Sequence, residues 1–174
     1  MQTPSARLAT AASQRFEPGQ EPTAIDMGPV QDWIGVLVRM VQYQLFEAFY
    51  ERFGEYGLTP AEFAALTVVQ RNPGIRQGVL AAALLIKRAN MTKLVRRLVQ
   101  AGLLTRQVPA DDKRAYALYL TPFGEQRVAD ALAQADEHEA ASTHMLTARE
   151  RAQLMKLLRK MLAAGNANGD RKKR

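Results

Sequence analysis

The chain has 174 residues, 47% of them hydrophobic and 24% charged, with a net charge of +7. That composition suits one soluble globular domain, or a small domain carrying long appended helices. Cysteine is absent, which excludes disulfides, thiol redox switches and thiolate metal sites. The compartment cannot be read from cysteine, and a reducing cytoplasm is the default expectation. The longest apolar run, Val79 to Ile86, is too short to cross a bilayer, so no membrane partner is expected.

The position of the charge is more informative than its sum. Between Arg71 and Arg114 stand ten basic residues against two acids, Asp111 and Asp112, a net of +8. The terminal RKKR, 171–174, adds +4 and leaves −5 for everything else. A basic centre within acidic flanks is how a nucleic-acid footprint shows in a sequence.

In chain order, residues 1–28 are rich in Pro, Gly, Gln, Thr and Ala without a sustained period, and read as a mobile arm. Arg7 and Arg15 with no acid in the first sixteen residues resemble a transit peptide in composition, but no continuous apolar core of the secretory kind is present. From Pro29 onward Trp33, Ile34, Leu37, Val38, Val41, Leu45 and Phe49 recur at helical spacing, predicting a helix to Phe53 that Gly54 and Gly57 stop. In "LTPAEF" Thr59 caps a second helix, Pro60 takes its first turn and Glu62 completes a capping box; "NPG", 72–74, ends it.

A short helix is expected over 76–85, then a break near Ile86 and Lys87, then a helix over 88–101. Met91, Leu94, Val95 and Leu98 mark its buried face and Gly102 its stop. Two short helices joined by a tight turn predict a helix-turn-helix. The period then drops to two. "LLTRQV" and "AYALYLT" are strand-like, with "PADDK" as the loop between them. Leu118 and Leu120 face the body, and Ala115, Ala117 and Tyr119 the other side. Thr121 and Pro122 start a helix expected to reach Met145, about 36 Å long. Thr147 and Glu150 form a second capping box for a last helix to about Ala164, followed by a frayed basic end. No internal repeat is evident. The fold class is therefore mainly α with a small β-hairpin wing.

A hairpin directly after a helix-turn-helix makes a winged helix. Asp111 or Asp112 can tie down Arg114 at the strand start, and a pre-oriented guanidinium suits a narrow minor groove. Asp112, Lys113, Arg114 and Arg106 are the wing candidates; the other reading is a plain solvated hairpin. On the 88–101 helix, Arg88, Asn90 and Lys93 are placed to meet base edges, since Asn suits adenine and Arg or Lys suits guanine. Ala89 and Thr92 offer methyl contacts. Arg96 and Arg97 lie further along, either against phosphates or on a solvated basic face. Arg76 and Gln77 suit a backbone phosphate.

"LTPAEFAALTVV", "IKRANMTKLVRRLVQAGLLTR" and "DDKRAYALYLTPFGE" together resemble the MarR (multiple antibiotic resistance regulator) family over about residues 30–163. The most specific part is D-x-R followed by L-x-L-T, here Asp112, Arg114, Leu118, Leu120 and Thr121. The resemblance implies an obligate homodimer, triangular in outline, in which first and last helices intertwine and a winged helix-turn-helix lies between the dimerisation helices. It also implies release from DNA by a small aromatic or anionic ligand. The expected division is a flexible arm over 1–28, a dimerisation helix over 29–57 and a winged helix-turn-helix over 58–121. Helices completing the dimerisation region follow over 122–164, and a basic disordered tail over 165–174.

Trp33, Arg39, Met40, Tyr43 and Phe63 are candidates to line an effector pocket, for an aromatic acid or an acyl-CoA; the other reading makes them core or dimer interface. His138 and His144 are six apart, where a helical metal pair wants three or four, so with Asp136, Glu137 and Glu139 they read as a solvated acidic face. No cofactor is expected. No Ser-His-Asp order, Gly-rich phosphate loop or isolated carboxylate pair stands out, so an enzyme is not expected. The functional expectation is a dimeric, sequence-specific transcription regulator, read as a repressor, on a pseudo-palindromic duplex. The competing expectation is an architectural DNA-binding dimer without an effector.

Overall fold

The computed structural model describes residues 25–108 and 116–171, the side chains of 165–171 excepted. It falls into two units, the first ending at Met40 and the second running from Val41 to Arg174. In the first unit a 3-10 turn, Gly28–Asp32, ends at Trp33, whose backbone is extended (φ −79°, ψ 123°). The Trp33 carbonyl accepts from the amides of Val36 and Leu37 and so opens α1 (Ile34–Phe53). The helix expected from Pro29 is thus divided, because the residue before an α-helix must leave helical geometry to serve as its cap. A second 3-10 turn, Gly54–Tyr56, follows α1 and closes on Gly57 at φ 63°, a left-handed conformation that glycine adopts without penalty.

In the second unit α2 (Pro60–Arg71) begins with the capping box read from the sequence. The Glu62 amide donates to Thr59 Oγ1 at 3.3 Å and the Thr59 amide donates to Glu62 Oε2 at 2.9 Å. A strand not anticipated from the sequence, β1 (Ile75–Arg76), comes next. It pairs with the later strand through Ile75 opposite Leu118 and Arg76 opposite Ala117. The helix expected from Arg76 therefore starts one residue later and ends earlier, as α3 (Gln77–Ala83). Leu85 then takes φ 54° and turns the chain without the usual glycine into α4 (Arg88–Gln100). Gly102, at φ 70°, stops α4 as expected.

β2 (Leu104–Gln107) and β3 (Ala117–Leu120) pair antiparallel, with Leu104 opposite Leu120 and Arg106 opposite Leu118. The sheet order is β1-β3-β2. Thr121 caps α5 (Pro122–Leu132) by accepting from the Gly124 amide at 2.9 Å. The long helix expected to Met145 is broken: after α5 the chain turns at Ala133 and Gln134 and resumes as α6 (Ala135–Ser142). The Gln134 amide bonds three residues back to the Ala131 carbonyl, and its side-chain amide donates to Tyr56 Oη at 2.6 Å. A tertiary hydrogen bond thus fixes a tightened turn where the sequence has neither Gly nor Pro. The last helix, α7 (Ala148–Arg171), runs past the end expected at Ala164.

One apolar core holds α2, α3, α4, the sheet and α5 together. Leu66, Leu80, Met91, Val95, Leu118 and Val128 are each fully buried in it, and each such side chain contributes about 1.5–3 kcal/mol through burial. Phe49, Phe53 and Ala131 form a smaller cluster, and Tyr56 and Phe63 pack against both. This core fixes α4 while leaving its opposite face in water.

Candidate nucleic-acid interface

Position on α4 separates its residues into two sets. Met91, Val95 and Leu98 are buried, whereas Arg88, Ala89, Asn90, Thr92, Lys93, Arg96 and Arg97 are exposed. The helix carries four cations and no acid. At 100° per residue, Ala89, Lys93 and Arg96 centre the solvent face, with Arg88 and Thr92 on one flank and Asn90 and Arg97 on the other.

Each flank is tied to a neighbouring helix. Thr92 Oγ1 donates to the Arg88 carbonyl and accepts from Gln77 Nε2, both at 3.0 Å. The Gln77 amide nitrogen, expected beside a phosphate, therefore links α3 to α4. Arg76 sits in β1 as the residue capping α3; with seven residues, that helix has little dipole to offer an anion. On the other flank Arg97, expected against a phosphate or on a solvated basic face, makes contacts within the protein. Its Nε lies 2.8 Å from Glu62 Oε1, and Glu62 is 3% exposed. Its NH2 nitrogen donates to the Gly57 carbonyl at 3.3 Å. Sequence reasoning missed this pair, because the two residues lie on different helices and Glu62 was already accounted for as a cap. The remaining cue is that a carboxylate so buried requires a partner.

The ribbon β2–β3 lies where the wing was expected. Arg106 is half-buried on it, its guanidinium carbon 5.5 Å from the centre of the Tyr116 ring. Its Nε is buried and unpaired among the described residues. Asp112, Lys113 and Arg114, with Asp111, lie outside the described residues.

Of the effector candidates, Trp33 and Met40 are exposed in the first unit. Tyr43 is exposed in the second unit, and Phe63 is half-buried there, stacked on Phe53 with ring centres 5.7 Å apart. A groove of about 290 Å³ is lined by Leu45, Phe46, Phe49, Phe53, Pro60, Phe63 and His138 among others; of the five candidates only Phe63 contributes to it. The His138 ring stands nearly perpendicular to the Phe49 and Phe53 rings, while His144 Nδ1 lies 2.9 Å from the Ala141 carbonyl oxygen. No group of three metal-binding side chains occurs among the described residues, and none of their helices is long and apolar enough to cross a membrane.

A helix pair with a tight turn, a second helix whose charged residues are all cations on its exposed face, and an antiparallel ribbon define a winged helix-turn-helix. The family model described as MarR family matches residues 56–115. The chain is 31% identical over 105 residues to the transcriptional regulator HosA of Escherichia coli, covering 60% of this chain and 78% of HosA. It is 34% identical over 108 residues to a regulatory protein proposed for the hcr operon in Thauera aromatica; the match spans 60% of this chain and 63% of that protein. Among solved structures, a transcriptional repressor, CouR, bound to a 23-mer DNA duplex superposes with a TM-score of 0.74 at 30% identity. That superposition covers 80% of this chain and 99% of CouR. The chain belongs to the MarR family of winged-helix transcription regulators.

Proposed function

We propose that this protein is a homodimeric, sequence-specific transcriptional repressor that grips a pseudo-palindromic duplex with one α4 helix per half-site. The observation that carries this reading is the solvent face of α4, where Arg88, Asn90, Lys93 and Arg96 project from a helix whose other face is locked into the core. Base-edge contacts fall to the N-terminal turns, Arg88, Asn90, Thr92 and Lys93, and Arg96 reaches phosphate. The wing residues Asp112, Lys113 and Arg114, with Arg106 on β2, serve the minor groove, and Arg76 a flanking phosphate.

Dimerisation is supported by apolar side chains left in water. On α7 they are Leu154, Met155, Leu157, Leu158, Met161 and Leu162; on α1 they include Leu37, Val38, Val41, Tyr43, Leu45 and Phe46. Apolar surface on this scale is covered in a stable protein, and a second copy covers it symmetrically. An aromatic or anionic effector, an aromatic acid or acyl-CoA, releases the DNA by favouring a dimer geometry in which the two α4 helices no longer match successive grooves. Of the residues expected to line its site, Phe63 lies in the second unit on an aromatic groove that supports a ligand of this chemistry.

Selection of bound duplexes from a random pool, at ~0.15 M salt, tests the reading. The expected product is a palindrome with half-sites about one helical turn, ~10 bp, apart. An unenriched pool despite tight, salt-sensitive binding would instead establish an architectural DNA-binding dimer.

A further inference from the structure

We infer that Arg97, although exposed on the basic helix, is a positioning residue for DNA recognition and not a phosphate contact. The inference rests on the reading of α4 as the recognition helix. Four polar interactions converge on this corner. Glu62 Oε1 faces Arg97 Nε at 2.8 Å, and Glu62 Oε2 accepts from both the amide and the hydroxyl of Thr59, each at 2.9 Å. The Arg97 NH2 nitrogen donates to the Gly57 carbonyl. One carboxylate therefore caps α2 with one oxygen and anchors α4 with the other.

The chemistry favours the anchor over the phosphate. Removing Arg97 from Glu62 leaves a carboxylate that is 3% exposed without its counter-charge, and an uncompensated buried charge is costly. A phosphate at the solvent edge offers Arg97 only a screened ion pair in return. The planar guanidinium also reaches a carboxylate and a carbonyl through different nitrogens at once, which an ammonium on a flexible stem does poorly. Arg96, one residue earlier at the centre of the solvent face, makes no ion pair with a described side chain, and it is the cation left to meet DNA. The anchor acts on the C-terminal half of α4, as the Gln77–Thr92 bond acts on its N-terminal half. Recognition needs the helix held at both ends, because base-edge hydrogen bonds weaken steeply with angle.

The test compares Glu62→Gln, Arg97→Ala and Arg97→Lys with the unaltered protein on two probes, the duplex recovered by selection and a random duplex of equal length. Glu62→Gln is decisive, since glutamine preserves the capping box and every cation stays in place. The expected result is about a tenfold loss in the ratio of specific to random binding for Glu62→Gln and for both Arg97 variants, with the salt slope of random binding unchanged. The inference is overturned if Glu62→Gln binds as the unaltered protein does, while Arg97→Ala loses affinity equally on both probes with a slope reduced by about one.

Amide hydrogen exchange on the free protein reads the anchor without DNA. Glu62→Gln is expected to speed exchange over 94–100 about tenfold and leave 104–107 unchanged; unaltered protection over 94–100 overturns the anchor. If the unaltered protein fails to distinguish the two probes, the proposed function fails, and the exchange measurement still decides the role of Arg97.

Discussion

Gly124, in the first turn of α5, lies so close to Leu103 that a Cβ built on it would stand 2.1 Å from the Leu103 carbonyl oxygen. The neighbouring bonds explain the approach: the Thr121 amide donates to that same carbonyl at 3.1 Å, and Thr121 Oγ1 donates to the Gly102 carbonyl at 2.6 Å. The end of α4, the start of β2 and the start of α5 are thereby stitched at one point. The obstacle is backbone, which cannot rotate aside. Gly124→Ala is expected to destabilise the fold by about 3 kcal/mol, whereas Gly78→Ala, with nothing within 4 Å of its Cβ, gains about 0.5–1 kcal/mol through helix propensity. Urea midpoints of the two variants check the contrast; equal midpoints would refute the close packing at Gly124.

Leu85 is the single non-glycine residue with positive φ among the described residues, at 54°, and its side chain is 63% exposed. A left-handed backbone costs a leucine about 1–2 kcal/mol, while glycine loses about 0.5–1 kcal/mol more backbone entropy on folding. Leu85→Gly is therefore expected to stabilise the protein slightly, by about 0.5–1 kcal/mol. A lowered melting temperature would show that the leucine side chain contributes more to the turn than its exposure indicates.

Arg88 and Arg114 are expected to fail differently. Arg88→Ala should cost ~1–3 kcal/mol at one or two base positions of the selected duplex, because Arg88 opens the helix proposed to carry base contacts. Arg114→Ala should weaken binding to every duplex and reduce the salt slope by about one. Titrations at several salt concentrations on specific and random duplexes separate the two; equal losses on both probes from both variants would end this division of roles.

At the start of α7 the Thr147 hydroxyl and amide donate to Glu150 Oε2 at 2.7 and 2.8 Å. The hydroxyl bond first, and the backbone bond after it, hold the Glu150 carboxyl below its ordinary value of 4.5. A folded pKa below the unfolded one means that the cap contributes fully above the unfolded value and is lost as pH falls through the folded one. Amide protection over 148–151 should therefore persist through the ordinary carboxyl value of 4.5 and fall only on further acidification. In Glu150→Gln, where an uncharged amide still caps, that change should vanish. Identical acid profiles for the two proteins would place the titration elsewhere.

Local rules determined much of this protein. Thr59, Glu62, Thr147 and Glu150 announce two helix starts, Gly57 and Gly102 two stops, and Met91, Val95 and Leu98 the buried face of α4. Caps, left-handed glycines and a 3.6-residue period all act within a few residues. The D-x-R and L-x-L-T pattern carried the family. Tertiary structure alone decided the features whose cause lies far along the chain. β1 is two residues long, too short for any period, and exists because β3 pairs with it. The turn at Gln134 is set by a hydrogen bond to Tyr56, and the closeness of Gly124 to Leu103 by a carbonyl on another element. Arg97 reads in sequence as one more cation on a basic helix. It becomes an anchor only because folding brings it to Glu62, a carboxylate with little access to water that binds the cation within reach.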